Sequence, residues 1–277
     1  MPELPEVETV VRSISTLLIN SKIESAWTSG LPLHMQKVVD ADALNSWVVG
    51  ASVKQVRRRG KYILLDLVRG KTFSVVLIHL GMSGKLMLSR SSEARLPHTH
   101  VVLGLKGDCE LRFVDPRRFG QFKVAASQAE LKEIADMGPE PLDDLSLETF
   151  ALSLSKSKAP IKAFLLDQRR IAGLGNIYVS EALFEARVHP SKPALKVKRQ
   201  APALLESVKL VLRKGIENRG TTLRDYVDGK GVAGNNKHAL RVYGREGESC
   251  TRCESTIRRS VDAGRSTFYC PVCQKRP

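Results

Sequence analysis

The sequence predicts an α+β fold: an N-terminal β-sandwich with flanking helices, then a helical region, then a small β-hairpin held by four cysteines. Three observations carry this. From about Val53 to Ala125, β-branched and apolar runs alternate with Gly, Pro and Asp, the signature of successive short strands. Beyond the turn-rich Gly138-Pro139-Glu140-Pro141 the patterning becomes helical. Near the end, Cys250-x2-Cys253 and Cys270-x2-Cys273 stand sixteen residues apart, inside the spacing of a tetrahedral four-thiolate site. These changes of character set boundaries at 1–135, 136–235 and 240–277.

Taken in order, Leu4, Val7, Val11, Ile14 and Leu18 form an apolar stripe at helical spacing, so the first helix lays one face on the sandwich. The strands run from Tyr62 to Val68, Thr72 to Leu80, His100 to Leu105, Glu110 to Val114 and Gln121 to Ala125, and two stacked layers are their natural package. Helices are predicted from Ser146 to Leu154, Ile161 to Asp167, Ile177 to Ala186 and Ala201 to Asn218. Between two of them lies Ala172-Gly173-Leu174-Gly175-Asn176. Asn176 reads as a helix cap, and a glycine-flanked helix start exposes N–H groups suited to a phosphate.

Charge narrows the function. The chain of 277 residues carries 44 Lys plus Arg against 29 Asp plus Glu, a formal +15, and its pI of about 9.8 points to a polyanionic partner. Basic clusters recur throughout, at Arg57-Arg58-Arg59-Gly60-Lys61, Arg117-Arg118, Lys156 to Lys162, Arg169-Arg170, Lys192 to Arg199 and Arg252 to Arg276. Single clusters are ordinary solvated faces, whereas their recurrence fits one extended groove. No run of eighteen apolar residues and no signal-peptide core is present, so a cytosolic, non-membrane protein is expected. In a reducing compartment the five cysteines are not disulfide-bonded. Four thiolates leave a metal no open position, so one Zn2+ at Cys250, Cys253, Cys270 and Cys273 is structural. A redox reading of either CxxC is weaker, because the two pairs flank a short basic hairpin. Cys109 is left as a strand residue.

The segment Met1-Pro2-Glu3-Leu4-Pro5-Glu6 holds the candidate chemistry. With Met1 removed, Pro2 becomes a secondary α-amine, with a reference pKa of roughly 7.7–8.0 that a helix N-terminus lowers further. Such an amine attacks carbon at the aldehyde oxidation level to form an iminium, and Glu3 is one residue away to move protons. The same residues also make an ordinary helix start, with proline and acids in the first turn.

Several motifs then occur together and in order: Pro2 to Glu8, Arg59-Gly60-Lys61-Tyr62, His79-Leu80-Gly81-Met82-Ser83-Gly84, Asp115-Pro116-Arg117-Arg118-Phe119-Gly120, Gly138-Pro139-Glu140-Pro141-Leu142, Gly175-Asn176-Ile177-Tyr178, and Gly264 to Cys270. In these the chain resembles, over essentially its whole length, the bacterial formamidopyrimidine-DNA glycosylases, bifunctional enzymes that excise oxidised purines such as 8-oxoguanine. The endonuclease VIII branch, with Gly typical where this chain has Leu4, is less similar.

The resemblance implies that the helical region is a helix-two-turn-helix DNA-binding domain and that the partner is duplex DNA containing oxidised bases. It implies a monomer, cytoplasmic and nucleoid-associated in a bacterium. It assigns Pro2 as the nucleophile at the sugar C1′ and Glu3 as its acid/base. Lys61 and Arg265 would act in the β- and δ-eliminations and grip phosphates. Because the damaged nucleotide is flipped out of the stack, Met82, Arg117 and Phe119 would fill the gap, an apolar wedge and a ring replacing stacking and a guanidinium bonding the orphaned base. His98, Lys162 and Asn176 are further DNA contacts. About five neutralised phosphates would give a log-affinity against log-salt slope near −4.5.

The stretch Tyr226 to Asn236 corresponds to the family's loop over the extruded base, where Ala233-Gly234-Asn235-Asn236 replaces the usual Pro-Gly and two aromatics. This glycine-rich loop is expected to be disordered without DNA, and the departure bears on base preference. A second reading remains open at this point: a noncatalytic zinc-hairpin protein that binds nucleic acid by charge. Zinc, basicity and salt sensitivity suit both, and only covalent chemistry at the N-terminus separates them.

Overall fold

A computed structural model describes residues 1–34, 37–262 and 264–276. The chain divides into two units, one of 1–135 with 218–235 and one of 136–217 with 236–277.

In the first unit, helix α1 (Leu4–Leu18) is followed by β1 (Ile23–Thr28), α2 (Ala41–Val48), β2 (Ser52–Arg59), β3 (Tyr62–Arg69), β4 (Thr72–His79), β5 (Lys85–Ser89), β6 (Thr99–Leu105), β7 (Cys109–Val114), β8 (Gln121–Ala125) and a short α3 (Lys132–Ala135). Two four-stranded antiparallel sheets, ordered β2-β3-β4-β8 and β1-β6-β7-β5, form the expected sandwich. Helix α1 touches β2 and β3 of one sheet and β5 of the other, while α2 touches β1 and β8. Each helix therefore closes one open side where two edge strands face each other, protecting edges that would otherwise invite pairing. The stripe read from the sequence is the one buried: Val7, Val11, Ile14 and Leu18 join Val53, Ile63, Leu65, Val101, Leu103 and Phe113 in one core.

Strand β1 and helix α2 precede the region that reads as strands. In β1 Ile23 is buried and its neighbours are largely exposed, so no alternation announces it. Helix α2 is set by Asp40, whose carboxylate accepts from the N–H groups of Asp42 and Ala43 at 3.0 Å, a standard N-cap. Cys109 is a half-buried thiol at the head of β7.

Residues 218–235 return to this unit, and this corrects the expectation of a disordered loop. Thr221 bridges Asn235 at the stem. Fully buried Asp228 accepts from the N–H groups of Lys230 and Val232, each at 2.9 Å, and from Arg219. Gly229 donates to Ser13 Oγ on α1 and accepts from Leu88 N–H on β5, both at 2.9 Å. A side chain at Gly229 would meet Ile14 at 2.2 Å, so glycine is needed for this approach. The segment also explains why a boundary at 235 drawn from sequence differs from the packing: 218–235 goes with the sandwich, and the cysteine hairpin goes with the helices.

The second unit contains α4 (Leu147–Ser155), α5 (Ile161–Leu166), α6 (Asn176–Glu185), a 3-10 stretch at Ala194–Gln200, α7 (Ala201–Glu217), and the hairpin β9 (Arg258–Asp262) with β10 (Arg265–Tyr269). Ser146 caps α4 through Thr149 N–H at 3.1 Å. Buried Glu181 on α6 accepts from the N–H groups of Arg241, Val242 and Tyr243 at 2.8–3.0 Å, which docks the chain entering the hairpin onto α6.

Candidate active site and nucleic-acid contacts

In the first unit, Met1 is exposed whereas Pro2 and Glu3 are buried. Helix α1 begins at Leu4 with Glu3 as its cap residue, so the positive end of the helix lies at the Pro2-Glu3 pair. Glu3 N–H donates to Glu6 Oε2 at 2.8 Å within a capping box. The other Glu6 oxygen accepts from Thr221 N–H at 2.7 Å, and its carbonyl accepts from Tyr226 Oη at 3.1 Å. Glu6 thus locks the start of α1 to the 218–235 segment. The Glu3-x-x-Glu6 spacing signalled the capping box; Thr221, 215 residues away, could not be seen.

Lys61 is buried in the turn between β2 and β3, after Gly60 at φ +56°. Nearby His79 ends β4 and packs its ring against Tyr62 at 4.7 Å between centroids. Its Nδ1 accepts from Gly81 N–H at 3.1 Å, which leaves the ring proton on Nε2. Burial, then the charges of Lys61 and His34, pushes its pKa down to about 4. His79 is a neutral N–H donor at neutral pH, and the sequence reading did not single it out.

A pH effect follows. Unfolded His79 takes a proton near 6.5 and folded His79 at about 4. Its contribution to stability is therefore complete above pH 6.5 and is lost as pH falls toward 4, by as much as about 3 kcal/mol. Urea midpoints measured at about pH 7.5 and about pH 5 should drop more for the wild-type chain than for His79→Gln; equal drops would refute the assignment.

The three residues expected to fill the helix gap are brought together. Met82 and Phe119 are 46% and 47% exposed, costly for large apolar side chains unless something covers them. The Arg117 guanidinium lies 4.7 Å over the Phe119 ring. Their loops are organised by Asp115, which is fully buried and accepts from Ser83 Oγ at 2.7 Å, Arg117 N–H at 3.2 Å and Gly120 N–H at 2.7 Å. Gly81, at φ +61°, lets the Met82 turn approach: a Cβ there would lie 2.5 Å from Gly120 N. His98 is exposed at φ +65°, with its carbonyl accepting from Asp115 N–H at 2.9 Å.

In the second unit, Asn176 is the first residue of α6 and Gly175 is the cap, one residue off the expected position. Its Nδ2 donates to Ser266 O at 2.9 Å, and its Oδ1 is buried without a partner. Lys162 is more buried than a free phosphate contact would be. Its Nζ donates to the same Ser266 carbonyl at 2.8 Å and to Thr267 Oγ1 at 2.6 Å. Burial, with Arg265 adding to it against the pull of Asp262, lowers its pKa to about 8. Lys162 and Asn176 thus hold β10 at the residue after exposed Arg265.

The four cysteines fit zinc. Their Sγ atoms lie within 4.8 Å of one another, with separations of 3.9 Å for Cys250 to Cys273 and 3.5 Å for Cys253 to both Cys270 and Cys273. Zinc–sulfur bonds of about 2.3 Å in a tetrahedron need edges of roughly 3.8 Å. Arg252 N–H to Cys250 Sγ and Cys273 N–H to Cys270 Sγ, both 3.4 Å, shape the two knuckles. One structural zinc belongs here. Arg252 also donates to Phe184 O at 2.7 Å, lies 4.5 Å over the Phe184 ring and pairs with Glu185 at 2.7 Å, tying the first knuckle to the C-terminal end of α6. Arg187, Lys192 and Lys275 line a cavity beside Cys253 and Cys273, where they offset the net negative charge of a zinc tetrathiolate.

Three family models match the chain in order: the formamidopyrimidine-DNA glycosylase N-terminal domain over residues 1–122, the formamidopyrimidine-DNA glycosylase H2TH domain over 137–227, and a zinc finger found in FPG and IleRS over 247–276. The formamidopyrimidine-DNA glycosylase of Pelotomaculum thermopropionicum is 42% identical over 282 residues, covering 99% of each chain. That of Chloroflexus aggregans is 43% identical over 277 residues, covering 99% of this chain and 98% of the relative. Among solved structures, a variant of Lactococcus lactis FPG with Fapy-dG DNA superimposes with a TM-score of 0.90 at 33% identity. L. lactis Fpg with abasic-site DNA gives 0.89 at 33% identity. Each covers 99% of this chain and 100% of the other.

Proposed function

This chain belongs to the formamidopyrimidine-DNA glycosylase family, and from that premise we propose how its own residues carry out base-excision repair as a bifunctional DNA glycosylase and AP lyase. The observation that carries the reading is the buried Pro2-Glu3 pair at the positive end of α1, clamped from behind by Glu6. With Met1 removed, the Pro2 nitrogen attacks C1′ of the damaged nucleoside and the C1′–base bond breaks, the departing base taking a proton from solvent; the C1′–O4′ bond then opens as the nitrogen lone pair forms the iminium, with Glu3 moving the proton shed by the Pro2 nitrogen to O4′. The resulting iminium acidifies the neighbouring sugar C–H, so the 3′ phosphate leaves, and a second elimination releases the 5′ phosphate. Lys61 and Arg265 serve these steps. Met82, Arg117 and Phe119 occupy the vacated stack. His98 and Asn176 contact the backbone, and Lys162 supports Arg265 through the hairpin.

The substrate is duplex DNA bearing oxidised purines. L. lactis Fpg has also been crystallised with DNA containing an oxidised pyrimidine, which supports a wider range. No helix among the described residues is long and apolar enough to cross a membrane; a cytoplasmic, nucleoid-associated monomer is the accompanying proposal. The test is incubation of the Met1-processed enzyme with duplexes carrying formamidopyrimidine, 8-oxoguanine or no lesion. Base release with a one-nucleotide gap ending in phosphates on both sides is expected for the damaged duplexes. An intact lesion strand under binding conditions would leave the noncatalytic reading.

A further inference from the structure

Residues 90–98 cross from β5 to β6 outside any strand and end at His98, a non-glycine residue held at φ +65°. Such a conformation costs free energy and persists only where the surroundings fix it. At the start of this crossing one buried side chain gathers the backbone. Arg112, on β7, is 2% exposed, yet its guanidinium does not point to solvent or to a substrate surface. It donates through Nη1 to Ala94 O at 3.0 Å, and through Nη2 to Arg90 O at 2.9 Å and Glu93 O at 2.7 Å. Its Nε donates to Glu110 Oε2 at 2.7 Å, which neutralises the buried charge.

We infer that Arg112 is a positioning residue for DNA binding: it fixes the 90–94 backbone so that His98 is presented to the phosphate backbone in one conformation. The segment has a second anchor in Ser91, which donates to Asp108, and its far end is fastened by Thr99 Oγ1 to Leu96 O at 2.7 Å and by Asp115 N–H to His98 O. Between these points, three carbonyls meet the rigid fork of a planar guanidinium, a geometry that lysine's single ammonium cannot reproduce. Arg112 on β7 and Asp115 just past its end thus serve different DNA-facing segments: the arginine holds the start of the His98 loop, and the carboxylate holds the Met82 and Arg117–Phe119 turns.

The inference rests on the DNA-repair reading, and a double-mutant cycle separates the two. The measurements are Kd for a duplex carrying a tetrahydrofuran abasic analogue, and KM and kcat on an abasic duplex, for wild type, His98→Ala, Arg112→Met and the double variant. If Arg112 acts through His98, each single variant and the double raise Kd by the same factor, about tenfold, with KM rising and kcat kept. Additive losses, about a hundredfold in the double variant, would show Arg112 acting independently of His98 and overturn the proposal. So would a silent His98→Ala, or a fall in kcat at constant KM. Failure of the wild-type protein to bind the duplex at all would instead sink the repair reading. Should Arg112→Met not fold, Arg112→Lys keeps the charge beside Glu110 while losing the fork. It should show the same cycle, and wild-type affinity for that variant would overturn the proposal.

Discussion

Borohydride added to this protein on an abasic duplex will trap a covalent adduct when Met1 has been removed and none when it is retained. The difference is one of valence. In the Met1-retained chain the Pro2 nitrogen is an amide without a nucleophilic lone pair, whereas the processed chain ends in a secondary amine that is partly neutral at pH 7. The structure sharpens the expectation. Pro2 and Glu3 are buried, so a retained Met1, 53% exposed, would also have to be displaced before a sugar could reach the nitrogen. Lys61 is buried in its turn and is not expected to substitute. Loss of an activated nucleophile of this kind removes at least about 10³-fold in rate. Adduct yield should track the fraction of processed chains measured by mass spectrometry. An adduct of equal yield on the Met1-retained protein would transfer the nucleophile to another amine and remove Pro2 from the mechanism.

How far the sequence could anticipate this depends on the range of each interaction. The apolar stripe of α1, the run of strands and the paired CxxC knuckles are local patterns, and each appears in the structure where it was read. What stayed hidden is made by partners far apart in sequence. Glu6 reaches Thr221, Asp115 reaches Ser83, and Lys162 reaches Ser266; no periodicity announces such pairs. The 226–236 segment is the instructive case. Its glycines suggested mobility, but Gly229 serves a close approach to Ile14, and Asp228 gathers the turn around one buried carboxylate. The same geometry relocates the departure from the family pattern. Asn235 donates to Asn218 O at 2.8 Å at the stem, and Asn236 is buried with its Nδ2 near Tyr178 Oη. Asn235 and Asn236 therefore set the base of the loop, while Ala233 is exposed. The resemblance gave Lys162 as a DNA contact; its burial and its bonds to Ser266 and Thr267 of the hairpin could not be read from a run of charge.

Removing the zinc, by chelation or by Cys270→Ser, will abolish specific binding to an abasic duplex while the first unit stays folded. The apolar cluster around the knuckles is small: Phe184, Val242, Cys250, Ile257 and Cys270, with Phe268 and Cys273 against it. So small a cluster cannot offset the chain entropy of ordering the hairpin. Zinc supplies the difference, its binding in comparable finger peptides being worth about 10–16 kcal/mol near neutral pH. The consequence spreads through named bonds. Arg252 and Gln274, which donates to Val188 O at 2.9 Å, would no longer be delivered to the end of α6. Lys162 and Asn176 would lose their shared acceptor at Ser266, leaving a buried ammonium without partners, a cost of several kcal/mol that the unit avoids by opening further. Arg265 loses its placement in the same event. Affinity should fall by at least about 10²-fold, to the level of unspecific charge attraction. Hydrogen exchange should show amides of 236–276 and the ends of α5 and α6 becoming unprotected while β2 to β8 remain protected. Cys109→Ser serves as the control, because that thiol lies in the sandwich and outside the cluster; it should keep both zinc and affinity. Zinc-free protein that binds the duplex as well as the holoprotein would show that the hairpin folds without its metal, and would remove the hairpin's bonds to Lys162 and Asn176 as the link between zinc and DNA.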